Sequence, residues 1–234
     1  MEIIENFLKK NACYSRHVKI QPVQIMLHST ACPGVPAKNF LKSWNVAYPN
    51  NKAVCVHAFL NPGVVYQTLP WNYRAWHCGG QGNNLAIGFE ICEPKDYGDK
   101  EYFVAIKQTA LELCVYLCKK FNLKADDVTS HCEAHKRYGS NYASNHSDLD
   151  HWWKKYHGYT MDNFRDELED MLEREEEEEM VRYETIDEIP AWGQDSITKA
   201  LNKGILKGTG KGLGLTETEV KVLVWMDRAG MLEK

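Results

Sequence analysis

Residues 84–131 read NLAIGFEICEPKDYGDKEYFVAIKQTALELCVYLCKKFNLKADDVTSH. The run divides into three periodicities. NLAIGFEIC alternates, with Leu85, Ile87, Phe89 and Ile91 on one face and Ala86, Gly88 and Glu90 on the other, the period of two that marks a strand. Small residues beside an acid suggest that the second face is left open for a ligand. EYFVAIKQTALELCVYLCKKF places Ile106, Ala110, Leu113, Leu117 and Phe121 along one side of a long helix. DVTSH predicts a short strand ending at His131. Strand, helix, strand in succession is the repeat of an α/β domain.

Working outward, PVQIMLHST (22–30) predicts another strand, with Gln24, Met26 and His28 on one face. KAVCVHAFLNPGVVYQTLP (52–70) predicts a hairpin turning at Asn61-Pro62-Gly63. Beyond Glu167 the composition changes to ELEDMLEREEEEEMVRYE, the end of a helix running into a solvated acidic linker. The domains expected are therefore 1–172, an acidic linker 173–182 and a small module 183–234. In that module QDSITKALNKG predicts a helix stopped by Gly204. Thr216 and Glu219 form the T-x-x-E box that starts a second helix, and Gly230 ends it. The glycine-rich ILKGTGKGLGL between them has no G-K-[ST] and no preceding strand, which argues against a phosphate cradle.

The chain has 234 residues and a net charge of -4, so nothing in its charge argues for nucleic acid. No stretch approaches a membrane span, and the first residues lack the apolar core of a signal peptide. Synthesis in the cytoplasm is expected, with release by some other route if the protein works outside. The eight cysteines contain no C-x-x-C and several sit in apolar runs, which reads as reduced thiols in the core.

The chemistry points to histidine. His28 and His131 both fall at predicted strand ends, and neighbouring strands would bring their rings into one site. Catalytic zinc takes three protein ligands and keeps a position open. The third ligand would come from the loop after His131, where spacing leaves Asp148 and His146 as alternatives. H-x-E at His131–Glu133 also occurs in zinc deaminases, but these need a downstream P-C-x-x-C that is absent here.

The ordered set IMLHST, VCVHAFLNPGVVYQTLPWNYRAWHCGG, NNLAIGFEICEP and SHCEAHK…ASNHSDLDHWW resembles the zinc-dependent N-acetylmuramoyl-L-alanine amidases of type 2, over about residues 20–165. That family includes phage endolysins, bacterial autolysins and the peptidoglycan recognition proteins, and this chain most resembles members from Firmicutes and their phages. The resemblance implies a central mixed β-sheet flanked by helices, followed here by a small helical C-terminal module. It implies Zn²⁺ held by His28, His131 and Asp148, with Glu90 as general base and His146 steadying the developing oxyanion. It places His57, Trp76 and His77 at the substrate groove. It implies hydrolysis of the amide between N-acetylmuramic acid and L-alanine in bacterial peptidoglycan, after holin-type release. The alternative it leaves is a peptidoglycan-binding protein without catalysis. The loop from His131 to Asp148 is longer than in compact members, and Val56 stands where some carry a tyrosine. Residues 183–234 resemble a terminal module of clostridial-type phage endolysins and a degenerate surface-layer-homology repeat, which implies attachment to cell walls.

Overall fold

The computed structural model describes residues 1–47, 54–180 and 182–232, which form two compact units, Met1–Glu169 and Asp170–Lys234. No described helix is long and apolar enough to cross a membrane.

The first unit is built on six strands: β1 (Glu2–Glu5), β2 (Gln24–Ser29), β3 (Ala58–Asn61), β4 (Val64–Gln67), β5 (Ala86–Ile91) and β6 (Val128–Ser130). Their order across the sheet is β1-β4-β3-β5-β2-β6. Only the β3–β4 hairpin is antiparallel, so the sheet is mixed. Its turn falls at Pro62-Gly63, where Gly63 takes a φ of 77°. Lys52 and Ala53, where the hairpin's first arm was expected to begin, lie outside the described residues. The central strands are buried almost throughout, as strands covered on both faces must be.

The helices of this unit are α1 (Ala12–Ser15), α2 (Ala37–Trp44), α3 (Lys100–Phe121), α4 (His131–Tyr138) and α5 (Lys155–His157), with α6 beginning at Met161. α3 packs on β3 and β4, α2 on β3, and α4 on β2 and β6. Asp99 caps α3 by accepting from the Tyr102 amide, and Asn122 closes it in the left-handed conformation. His131 does not end a strand, as the sequence suggests, but opens α4. Ser130 stops β6 by capping that helix, its hydroxyl accepting from the Glu133 amide. Glu133 then spends its carboxylate on Arg165 and Arg137, a structural role.

α6 continues to Met180, so the acidic run expected as a linker is helical along its described length. Glutamate is a good helix former, and exposed like-charge pairs cost only tenths of a kcal/mol each. In the second unit α7 (Ala191–Asn202) packs on α8 (Glu217–Arg228), and a two-residue ladder joins β7 (Arg182–Tyr183) to β8 (Leu215–Thr216). Ile189, Ile197, Leu215, Val220 and Val224 form its core. The Thr216–Glu219 box is present, and Gly204 and Gly230 follow the two helices with φ of 69° and 70°.

Candidate active site

His28, near the end of β2, and His131, at the start of α4 directly after β6, are brought together because β2 pairs with β6. The loop after α4 returns Asp148 to them. His28 Nδ1 lies 3.2 Å from Asp148 Oδ2 and 3.2 Å from His131 Nδ1, and His131 Nδ1 lies 3.3 Å from the same carboxylate oxygen. All three residues are buried, and among the described residues they are the group able to hold a metal ion. A tetrahedral ion with bonds of about 2.0–2.1 Å spaces its ligands about 3.3 Å apart, so this triangle has the dimensions of one face of such a site. Two imidazoles and a carboxylate are also a donor set that zinc accepts.

The charges agree with this. Burial alone would raise the Asp148 carboxyl, but hydrogen bonds from His131 and His28 outweigh it and hold the group far below the usual carboxylate range. Burial pushes His28 down, favouring its neutral, ligating form. Leu149, directly after Asp148, takes a φ of 68°, a strained position for a branched side chain. It starts a five-residue π-helical turn, Asp150–Lys154, that buries Trp152 and Trp153. Both tryptophans pack in the core, and Trp152 donates to Ser29 Oγ beside His28.

The triangle opens into a cavity of about 800 Å³ that Glu90, His146, Trp76 and His77 also line. Glu90 Oε2 is buried without a hydrogen-bond partner. Burial first, then the charges of Asp148 and Glu93, push its carboxyl well above the usual range. His146 is exposed and stacks on His131, with centroids 4.4 Å apart and planes 16° apart. Among the described residues the group able to hold a metal includes Asp148 and not His146. The guanidinium groups of Arg16 and Arg74 lie 5.6 and 5.8 Å from the centre of the Trp76 ring.

Two expectations change. His57 does not line the cavity: its ring is buried, Nε2 donates to the Tyr73 carbonyl at 2.7 Å and Nδ1 accepts from the Gly88 amide at 3.1 Å. It ties the loop before Trp76 to β5, and both its nitrogens are used. The Ala86-Gly88-Glu90 face is open to the cavity at Glu90 but not at Gly88. The His77 ring lies on Gly88, where a Cβ would come within 2.4 Å of His77 Nδ1. Sequence reasoning also missed Ser144, whose hydroxyl is 3.2 Å from His131 Nε2. A lone serine in a polar loop carries no signal of that contact. Arg74, two residues before Trp76 in YRAWH, was marked only by its aromatic neighbours.

An α/β sheet that carries two imidazoles and a carboxylate at one end has a donor set that could hold a metal of the kind hydrolases use. Residues 19–149 match the family model for N-acetylmuramoyl-L-alanine amidase, and the chain belongs to that family. Two relatives come from Bacillus subtilis strain 168. The amidase CwlH is 34% identical over 137 residues, covering 56% of this chain and 50% of its own. The amidase XlyA is 30% identical over 134 residues, covering 56% and 43%. The chain thus spans half or less of the length of these relatives. The catalytic domain of XlyA matches in structure with a TM-score of 0.54 and 25% identity, over 72% of this chain and 99% of that domain. The Staphylococcus aureus hydrolase AmiA, in complex with its ligand, matches in fold with a TM-score of 0.63 and 21% identity, over 76% and 86%.

Proposed function

We propose that this chain is a zinc-dependent N-acetylmuramoyl-L-alanine amidase that cuts peptidoglycan between N-acetylmuramic acid and L-alanine. The observation that carries the reading is the convergence of His28 Nδ1, His131 Nδ1 and Asp148 Oδ2 beside an unpartnered glutamate in one cavity. Zinc held by those three residues would supply Lewis acidity, polarising the lactyl carbonyl and lowering the pKa of water. Glu90 takes a proton from the attacking water and delivers one to the departing L-alanine amine. Its burial suits this work, because a carboxyl raised above its ordinary range is a stronger base and a usable acid near neutral pH. His146, exposed at the cavity edge, donates to the oxyanion that develops on the carbonyl. Trp76 offers an aromatic wall along which substrate lies.

In this reading residues 1–172 form the catalytic domain, and residues 183–234 bind the cell wall, keeping the enzyme near its substrate. The wall is the site of action. Mass spectrometry of peptidoglycan digested with and without a chelator tests the activity. New L-alanine amino termini that disappear on chelation are expected. Release of reducing sugars instead, or cleavage indifferent to the chelator, would sink the proposal.

A further inference from the structure

Glu93 lies just beyond the end of β5, and the catalytic reading gives it no task. Its carboxylate is nevertheless buried and fully engaged. Oε1 accepts from Ser29 Oγ at 2.6 Å, from His151 Nε2 at 2.8 Å and from the Ala31 amide at 3.0 Å. Oε2 accepts from the Tyr97 hydroxyl at 2.8 Å. These partners belong to the segments that carry the site. Ser29 and Ala31 follow His28 at the end of β2, His151 follows Asp148 in the π-helical turn, and Glu93 itself follows Glu90. The segments that bear two proposed ligands and the proposed base thus meet on one carboxylate.

The charge of the Glu93–His151 pair follows from its neighbours. His151 Nε2 faces the carboxylate, and Nδ1 faces the Ser147 carbonyl at 3.2 Å. Both partners only accept, so both ring nitrogens carry protons and the ring is an imidazolium. The hydrogen bond to Glu93 raises His151 above its ordinary value, against the cost of partial burial. The other titratable groups near the ring are Tyr97, with centroids 5.8 Å apart, and Asp148, whose charge acts in the same direction as that of Glu93. Burial alone would raise the Glu93 carboxyl, but hydrogen bonds from His151, Ser29 and Tyr97 outweigh it.

The Glu93 side chain is completely enclosed. A carboxylate shut away from water is strongly destabilised if its counter-charge leaves, so the turn after Asp148 is held where His151 reaches it. Beside this tie Trp152 donates to Ser29 Oγ at 2.9 Å. On the β2 side, Ala31 is fixed at a φ of 49°, a left-handed conformation that a residue with a side chain rarely adopts. From this geometry we infer that Glu93 and His151 are positioning residues: their ion pair pins the turn after Asp148 to the strand ends after His28 and Glu90, and so sets the spacing of the metal triangle. The inference rests on the metal reading of that triangle.

The test uses the whole chain. ¹⁵N spectra of metal-free protein labelled at histidine report the charge of His151, and competition with a chelating dye gives zinc dissociation constants. At about pH 6.5, where an unperturbed histidine is half protonated, His151 of wild type is expected to be mostly charged. His151→Phe keeps a ring but donates nothing, and is expected to weaken zinc binding about 10-fold or more. His151→Gln can still donate to Glu93 and is expected to recover most of that loss. A role confined to packing predicts the reverse order, with Phe better than Gln. That reverse order overturns the inference, and so does a folded Phe variant that binds zinc as tightly as wild type. A His151 that is half charged or less in metal-free wild type at that pH overturns it whether or not the variants fold. Wild type that binds no zinc while His151 is charged as expected would instead overturn the metal reading, and with it the inference that rests on it.

Discussion

Glu90 is the ladder partner of His28 across the parallel β2–β5 pair, so the proposed base and a proposed ligand stand side by side on one sheet face. A carboxyl oxygen buried without a partner, as Glu90 Oε2 is, is retained at a cost to the fold. Glu90→Gln is expected to lower kcat about 10²- to 10⁴-fold with zinc content unchanged, measured by turnover and metal analysis. Its stability has a definite sign as well. The folded state raises this carboxyl above its ordinary value of 4.5, so folded protein holds the proton more tightly than unfolded protein. Metal-free wild type therefore loses stability as pH rises above about 4.5, and the Gln variant does not. Thermal melts should show the metal-free variant more stable at neutral pH, with the gap closing toward pH 4.

Asp148 and His146 are two residues apart and should behave oppositely. Asp148→Ala removes one corner of the triangle and is expected to abolish stoichiometric zinc binding. His146→Ala is expected to keep one zinc per chain and lose turnover. A zinc-free His146 variant would move that residue into the coordination set.

Gly88 should tolerate nothing larger. A Cβ 2.4 Å from His77 Nδ1 must displace that ring, whose Nδ1 lies 2.8 Å from His28 Nε2. Gly88→Ala is expected to weaken zinc binding about 10-fold or more, read by dye competition, although position 88 touches no ligand of the metal. Unchanged affinity would show that the ring is free to move.

His57 makes the fold sensitive to acid. Burial lowers this imidazole from 6.5 to about 4, outweighing its hydrogen bond to the Tyr73 carbonyl. Its contribution is complete above pH 6.5 and is lost as pH falls toward 4, because the unfolded chain binds the proton first. The gap corresponds to about 3 kcal/mol. Denaturant titrations between pH 7 and 4 should show this loss, and His57→Gln should flatten the slope.

The second unit can be tested by deletion. Removing the residues after Glu179 is expected to reduce sedimentation with purified cell walls while cleavage of small muropeptides persists. Equal sedimentation of the truncated chain would count against a wall-binding role.

What the sequence made legible was whatever rests on local periodicity. β5, α3 and the β3–β4 hairpin follow from alternation, a 3.6-residue repeat and a Pro-Gly turn. His28 and His131 were marked by their places at the ends of apolar runs. What stayed hidden depends on partners distant in the chain. Gly88 reads as room for a ligand until the His77 ring is seen on it. His57 reads as a site residue because it neighbours site residues, and only tertiary packing shows both its nitrogens consumed. Ser130 carried a legible signal that was overlooked: a serine three residues before a glutamate starts a helix, which moves His131 from a strand into α4. The choice between Asp148 and His146 could not come from spacing. It rests on which side chain the loop after α4 returns to His28 and His131, and that loop contains a left-handed residue, Leu149, that no alternation or repeat announces.

The proposed ligands His28 and Asp148 are 120 positions apart. During synthesis the first of them leaves the ribosome long before the last. A nascent chain that stops short of Asp148 cannot close the triangle, and neither can a fragment that a protease releases from one side of it. On the proposed function, the means of cutting would be assembled only when the fold closes.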